Sequence, residues 1–337
     1  VGFALDTDDD ARRTFARNFP DARLRGDDIA QLMPQEMKLA LAEFAGRRTL
    51  FCGCAPCQPF TKQHTSRKKD DGRAVLLSHF AERVAAHLPD LVFVENVPGL
   101  QRVNGKYGPF PAFRERLAKL GYHSPGGNIV QAQQYGVPQQ RERFIYIASR
   151  LGPIDFPPPT HGPGTGQEYE TVGAWISDLP AIGAGEERPD AVRYPNHRAS
   201  GLSPINQRRI AAIKKPGGSR LSWPRDLWLD CHTRRREATG EPHRGHSDVY
   251  GRLPWNAPAT GLTTRCISLS NGRFGHPQQN RAISVREAAR LQTFPDSFVF
   301  RGSMASMARQ IGNAVPVRLA QVFGEHFVQH VRRYEES

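Results

Sequence analysis

The fold turns on one stretch: Phe51-Cys52-Gly53-Cys54-Ala55-Pro56-Cys57-Gln58-Pro59-Phe60-Thr61. Thr49, Leu50 and Phe51 read as a buried strand that stops at a glycine and two prolines. Gly53 and Pro56 punctuate the strand end, which sets Cys57 on a loop at the carboxyl edge of a sheet. Open α/β sheets take their ligands at that edge. Two other readings of these cysteines stay open. Cys52, Cys54 and Cys57 form a Cys-x-Cys-x-x-Cys knuckle, which needs a second pair to close a metal tetrahedron; Cys231, His232, His243 and His246 are the candidates. Cys52 by itself suits a buried strand, since a free cysteine packs like a small hydrophobe.

Downstream, Leu76, Leu77, Phe80, Val84 and Leu88 mark an amphipathic helix. Residues 91–94 are fully apolar, as in a buried parallel strand, and end in Glu95-Asn96-Val97-Pro98-Gly99. Glu95 is a carboxylate at the mouth of the sheet, though a helix-capping or solvated acid would look the same. Phe113, Leu117 and Leu120 give a further helix, and residues 144–147 a further strand. Just before that strand stands Gln139-Gln140-Arg141-Glu142-Arg143. Alternation puts Arg141 and Arg143 on the same side of an extended segment, with a solvated charge run as the alternative.

Upstream, residues 1–5 read as a strand ending in Asp6-Thr7-Asp8, and residues 9–19 as a helix carrying Ala11, Phe15 and Phe19. Doubly wound folds hold a ribose with an acid so placed. Asp8 to Asp10 also suit helix caps, but Asp6 comes too early for that. Asp28-Ile29 follows a turn at Gly26, and residues 37–44 form a short helix. Up to Arg150 the order β-α-β-α implies a mostly parallel sheet flanked by helices.

The texture changes at Leu151. Pro157-Pro158-Pro159, Gly162, Pro163, Gly164 and Gly166 form a breaker-rich hinge, and no long periodic pattern follows until the 280s. Residues 207–252 hold eleven Lys or Arg against five Asp or Glu, interleaved with Trp223, Trp228 and Tyr250. That mixture suits a nucleic-acid surface, or else a merely solvated basic loop. The net charge of +13 and the pI near 9.9 point the same way, although solubility alone would also account for them. Ser284-Val-Arg-Glu287 is a capping box opening a helix through Gln292, which Thr293-Phe-Pro-Asp296 ends. Gly312-Asn313-Ala314-Val315 reads as a turn before a last helix with Leu319, Val322, Phe323 and Phe327. Three segments result: 1–150, 151–280, and 281–337 returning to the first. Five cysteines make no disulfide framework at this length, so a reducing compartment is expected. No apolar run approaches the ~18 residues of a membrane span.

In this order, the landmarks resemble the cytosine-5 DNA methyltransferases. Pro56-Cys57-Gln58 is similar to that family's nucleophile loop, Glu95-Asn96-Val97 to its acidic motif and Gln139-x-Arg141-x-Arg143 to its arginine motif. Arg286-Glu-Ala-Ala-Arg290-Leu-Gln-x-Phe-Pro-Asp296 and Gly312-Asn313-x-Val315 look like its closing motifs. The resemblance implies a Rossmann-like, S-adenosylmethionine-dependent methyltransferase sheet of the α/β class. An irregular target-recognition domain is inserted between the arginine and closing motifs. It implies Cys57, Glu95, Arg141 and Arg143 as catalytic residues, and Asp6, Asp28, Pro56, Asn313 and Ala314 as cofactor contacts. Gln58, Asn96 and Gln139 are implied to meet the substrate, and no metal is called for.

The function implied is methyl transfer to carbon 5 of a cytosine flipped out of double-stranded DNA. The setting implied is a cytoplasmic, nucleoid-associated bacterial monomer, with a cognate restriction endonuclease as a possible partner. Two rivals remain: a tRNA cytosine-5 methyltransferase, whose middle-region Cys-Phe-Thr element this chain lacks, and a DNA-binding fragment without catalysis. The family opens with a strand and a Phe-x-Gly-x-Gly-Gly turn about 20 residues before the ribose acid. Asp6 stands too near the start for that turn, so a fragment is expected, unless a partner chain supplies the piece. Which bases are recognised is not encoded in any motif.

Overall fold

Every residue of Leu91–Asn96 is buried, as expected of a strand covered on both faces. This strand, β4 by chain order, lies inside a four-stranded sheet of the computed structural model. The structure describes residues 1–54, 76–98, 102–103, 106–107, 109–188, 190, 192–231, 233 and 248–337, with backbone alone at 102–103 and 106–107. Cys57, Pro56 and Gln58 lie outside the described residues. Two units divide the chain. The first comprises Val1–Ala132, Glu142–Pro159 and Leu319–Ser337, and the second Gln133–Arg141 and Thr160–Arg318.

In the first unit, β1 (Phe3–Leu5) and β2 (Arg23–Arg25) form a parallel pair. Between them runs α1 (Asp9–Asn18), capped by Asp8, whose side chain accepts from the Ala11 N–H. Then follow α2 (Pro34–Leu41), β3 (Leu50–Gly53), α3 (Leu76–His87) and β4. A small antiparallel pair, β5 (Arg102–Val103) with β6 (Lys106–Tyr107), precedes α4 (Phe110–Lys119) and β7 (Gly127–Gln131). After β8 (Gln139–Gln140), which belongs to the second unit, comes β9 (Glu142–Ser149).

The sheet order is β3-β4-β9-β7. It is mixed, not mostly parallel. Only β3 and β4 run parallel, while β9 is antiparallel to both β4 and β7. The short connection from β7 to β9 contains no crossover helix, so the chain returns in the opposite direction. Among the described residues β3 pairs only with β4, and β1 only with β2.

One sheet face packs Val92, Val94, Phe144 and Tyr146 against Ala81, Val84, Phe113 and Leu117 of α3 and α4. On β7, a Cβ at Gly127 would stand 2.1 Å from the Phe144 ring, so the glycine clears that ring's place. Phe93 meets Phe323 and Phe327 of the last helix at ring separations of 5.6 and 6.4 Å. Burying each such ring contributes about 1.5–3 kcal/mol.

The second unit has short elements: α5 (Val172–Ile176), α6 (Pro204–Ala211), β10 (Ala259–Thr260), α7 (Val285–Leu291) and α8 (Met304–Asn313). The capping box is present, since Ser284 caps Glu287 N–H and Glu287 reaches back to the Ser284 N–H. Gly312-Asn313, read as a turn, instead ends α8. Ser303 caps this helix, and Met307, Ala308 and Ile311 are its buried apolar positions. The last helix, α9 (Val317–Glu336), follows directly.

Two of the three interleaved aromatics are core residues, and Trp228 is partly buried against them. Trp223 and Tyr250 are buried with Ile210, Ile213, Leu227 and Leu269, and the Arg209 guanidinium lies 5.4 Å from the Trp223 ring. Irregular backbone leaves many carbonyls without a ladder partner, and buried arginines collect them. Arg252, 3 % exposed, donates to the carbonyls of Ile210 (2.9 Å), Ile213 (2.6 Å), His276 (2.8 Å) and Gln279 (2.6 Å) and to Asn280 Oδ1. Arg286 does the same for Pro195, Pro295 and Phe298. Burial pushes both guanidinium groups down to about 10, which leaves them charged at neutral pH.

Candidate active site

Strand β4 delivers Glu95 to the carboxyl end of the sheet. In the antiparallel register Glu95 faces Ile145, and Arg143, two residues earlier on β9, shares its side of the sheet as a diagonal neighbour. The two side chains meet: Arg143 Nε lies 2.6 Å from Glu95 Oε1, with only 13 % and 7 % of the side chains exposed. A second arginine nitrogen, Nη1, donates to the Glu142 carbonyl at 2.7 Å. Removing either partner of such a pair would leave a buried charge, at about 3–5 kcal/mol. Neighbouring Asn96 turns its Oδ1 back to accept from the Val97 N–H at 2.8 Å.

Next to this pair, β3 ends at Gly53, and Cys54 follows it. Cys54 keeps some exposed surface, but the protein atoms crowded about its thiol, and then the Glu95 charge, push its pKa well above the usual thiol range. Cys52, expected to be buried, keeps exposed surface. Its thiol is still desolvated enough to be pushed up to about 11. No group of three or more possible metal ligands occurs among the described residues; Cys57, His232, His243 and His246 fall outside them.

At the ends of β1 and β2, two acids are shaped alike. Asp6 Oδ1 accepts from the Asp8 N–H at 2.9 Å, and Asp28 Oδ1 from the Ala30 N–H at 2.9 Å. Each carboxylate spends one oxygen on its own turn and leaves the other for a ligand. Arg12 Nη1 fixes the first turn through the Asp6 carbonyl at 2.9 Å. Arg83, buried on α3, fixes the second through the Ile29 carbonyl at 3.1 Å. Neither arginine stood out in the sequence, since only the fold brings it to these turns. Paired acceptors on neighbouring parallel strands fit the hydroxyls and exocyclic amine of an adenosine.

The alternation expected for Arg141 and Arg143 is not present. Gln139–Gln140 pairs with β10, whereas β9 pairs with β4 and β7, so Arg141 stands between strands of two different sheets. Arg141 is buried and donates to the carbonyls of Leu262, Gly312 (2.6 Å) and Ala314 (3.5 Å). Gln139 is wholly buried. Asn313 is exposed at the end of α8, and Ala314 caps that helix. The structure thus brings Glu95 and Arg143 together in the first unit, and Gln139, Arg141 and Ala314 together in the second.

The first unit is thus an α/β fold with a mixed sheet that sets a carboxylate–arginine pair where the carboxyl end of β4 meets the amino end of β9. Residues 1–329 match the model of the C-5 cytosine-specific DNA methylases, and the chain belongs to that family. It is similar to the Type II methylase M.HgiDII of Herpetosiphon aurantiacus, 40% identical over 82% of this chain and 75% of that one. The Type II methyltransferase M1.HphI of Haemophilus parahaemolyticus is 32% identical over 93% and 76%. In fold the chain resembles a DNA modification methyltransferase encoded in an Escherichia coli prophage, with a TM-score of 0.71, 22% identity and coverage of 98% and 93%. Spodoptera frugiperda DNMT2 gives 0.61 at 16% identity over 97% and 92%. The activity is DNA cytosine-5 methylation, and the family and its relatives favour DNA over tRNA as the substrate.

Proposed function

We propose that Cys57 is the nucleophile, that Glu95 and Arg143 hold the cytosine ring, and that Asp6 and Asp28 hold the ribose and adenine of S-adenosylmethionine. The Glu95–Arg143 pair carries this reading. Carbon 5 of cytosine is a weak nucleophile. The Cys57 thiolate adds at carbon 6 and converts the ring to an enamine whose carbon 5 is electron-rich. The Watson–Crick edge of the base offers an exocyclic amine, ring nitrogen 3 and an exocyclic oxygen in a row. Arg143 gives a hydrogen bond to that oxygen as negative charge develops on it, and Glu95 serves nitrogen 3 and the amine. S-adenosylmethionine, when bound, supplies the methyl group as an electrophilic sulfonium. Loss of the carbon 5 proton then expels Cys57. The base must first leave the duplex.

The substrate in this reading is a specific double-stranded DNA site, with site choice residing in the irregular segment 156–277. Asn313, Ala314 and Pro56 complete the cofactor contacts, and Gln58 and Asn96 those to the substrate. A cytoplasmic monomer within a restriction-modification system completes the proposal. Among the described residues no helix is long and apolar enough to cross a membrane.

Duplex DNA carrying 5-fluorocytosine tests the chemistry, because the fluorine cannot leave as a proton does. With S-adenosylmethionine present, the wild-type chain should form an adduct that survives denaturation. Cys57→Ser should form none, since an alcohol is far less ionised than a thiol at neutral pH. An adduct on Cys57→Ser would overturn the assignment.

A further inference from the structure

Leu262 lies in no strand or helix, yet side chains take both of its peptide groups. Its N–H donates to Gln139 Oε1 at 3.0 Å and its carbonyl accepts from Arg141 Nη1. Gln139 Nε2 donates in turn to the Leu291 carbonyl at 2.9 Å and to Gln292 Oε1 at 2.7 Å. Helix α8 closes the other side of the same segment. A Cβ at Gly312 would stand 2.3 Å from the Thr263 carbonyl oxygen, so only glycine lets the helix end lie this close. Arg141 also binds the Gly312 carbonyl and therefore joins the helix end to the segment.

What this clamp presents is specific. Leu262, Cys266 and Ile267 are buried anchors, while Thr264 and Arg265 between them are exposed. The turn is closed internally, with Thr263 Oγ1 accepting from the Arg265 N–H at 3.3 Å and the Thr263 carbonyl from the Cys266 N–H at 3.1 Å. The Thr264 hydroxyl and the Arg265 guanidinium make no hydrogen bond or ion pair among the described residues. A hydroxyl and a cation without acceptors, on backbone pinned from both sides, match a phosphate oxygen. Arginine and threonine side chains commonly make such backbone contacts to DNA.

We propose that Arg141, together with Gln139, is a positioning residue that fixes the 262–266 turn so that Thr264 and Arg265 bind a phosphate of the DNA backbone. The proposal rests on the reading of the chain as a DNA methyltransferase and takes Arg141 away from the base. Its loss acts on how DNA is held rather than on the charge developing in the ring.

The test measures binding of the full chain to a mixed-sequence duplex over a range of salt concentrations. Each phosphate contact contributes about 0.9 to the slope of log affinity against log salt. Arg265→Gln should flatten the slope by about one contact, while Arg332→Gln, an exposed arginine of the last helix, should leave it as in the wild type. Methyl transfer into genomic DNA then separates the roles of Arg141. Arg141→Lys should raise KM for DNA several-fold more than it lowers kcat. A fall in kcat at saturating DNA with KM unchanged would overturn the positioning role. An unchanged slope in Arg265→Gln, which removes only an exposed side chain, would overturn the phosphate contact. A wild-type chain that binds no duplex would instead overturn the functional reading itself.

Discussion

In the first unit the strands β3, β4, β9 and β7 satisfy one another's peptide groups through the sheet, whereas in the second the peptide groups of irregular segments meet guanidinium groups. Arg143 and Arg252 show the contrast at single residues. Arg143 sits on a strand whose backbone is already paired, and its charge is aimed at a carboxylate at the sheet end. Arg252 meets no carboxylate among the described residues and gathers four carbonyls and an asparagine oxygen from two chain segments, 210–213 and 276–280. Where a ladder exists, buried charge is available for chemistry. Where none exists, buried charge does the ladder's task. Counting arginines therefore overstates the second unit's nucleic-acid surface, since Arg220 and Arg252 are inside it.

The largest effects should break this contrast. Arg252→Met keeps the bulk but strands several buried carbonyls, each worth about 1–3 kcal/mol unsatisfied. A loss of about 4 kcal/mol in unfolding free energy is expected, read by denaturant titration. Arg143→Lys keeps the charge beside Glu95 but not the fork. It should cost less than about 1 kcal/mol in the same titration, yet lower kcat by about a hundredfold. Equal stability losses in the two variants would erase the distinction.

The second unit also encloses a charged cluster with a pH signature. Arg281 binds Glu287 with two hydrogen bonds, of 2.6 and 2.7 Å, and His276 Nε2 lies 3.6 Å from the same carboxylate. Burial pushes His276 down to about 4, against an ordinary value near 6.5. Between those values the unfolded chain binds the proton and the folded one does not, so stability falls as pH falls from about 6.5 to about 4. The expected loss is on the order of 2–3 kcal/mol. Burial alone would raise Glu287, but the Arg281 hydrogen bonds prevail and hold it below the usual carboxylate range. Its contribution is present above that range and is lost at still lower pH. His276→Asn should flatten the upper part of the curve. An unaltered profile would show that another group titrates there.

Much of the first unit was legible because its signals are local. The apolar run of β4, the helical spacing of α1 and α3 and the acid after each strand depend on neighbours in sequence. The antiparallel return of β9 was not legible, since strand direction is set by the connection and not by the strand's own residues. Helix α8 was missed because Gly312 looks like a helix breaker, although its missing Cβ serves contact with Thr263, 49 positions away along the numbering. The split roles of Arg141 and Arg143 were hidden for a similar reason. Alternation assumes one continuous strand, and the chain changes sheets between them. Trp223 and Tyr250 misled through composition, which counts aromatics without reporting burial.

The smallest effect sharpens the comparison, because both units use the same local device. Asp8 caps α1 through its side chain to the Ala11 N–H at 3.0 Å, and Ser284 caps α7 through the Glu287 N–H at 3.0 Å. Removing an N-cap costs about 0.5–2 kcal/mol, and surroundings decide where in that range each falls. Asp8 is half-buried near solvent, so water can replace the lost acceptor in Asp8→Ala. Ser284 is wholly buried, and its Oγ lies 2.9 Å from His197 Nδ1, while His197 Nε2 lies 2.8 Å from the Pro180 carbonyl. The carbonyl requires Nε2 to carry the proton, so Nδ1 must accept from the serine hydroxyl. Ser284→Ala thus leaves a buried ring nitrogen without its donor and the Glu287 N–H without its acceptor. The expected cost is about 2 kcal/mol for Ser284→Ala against about 0.5–1 kcal/mol for Asp8→Ala, read as the difference between two denaturant midpoints. Equal midpoints would mean that the second unit's buried polar groups relax as freely as the first unit's surface.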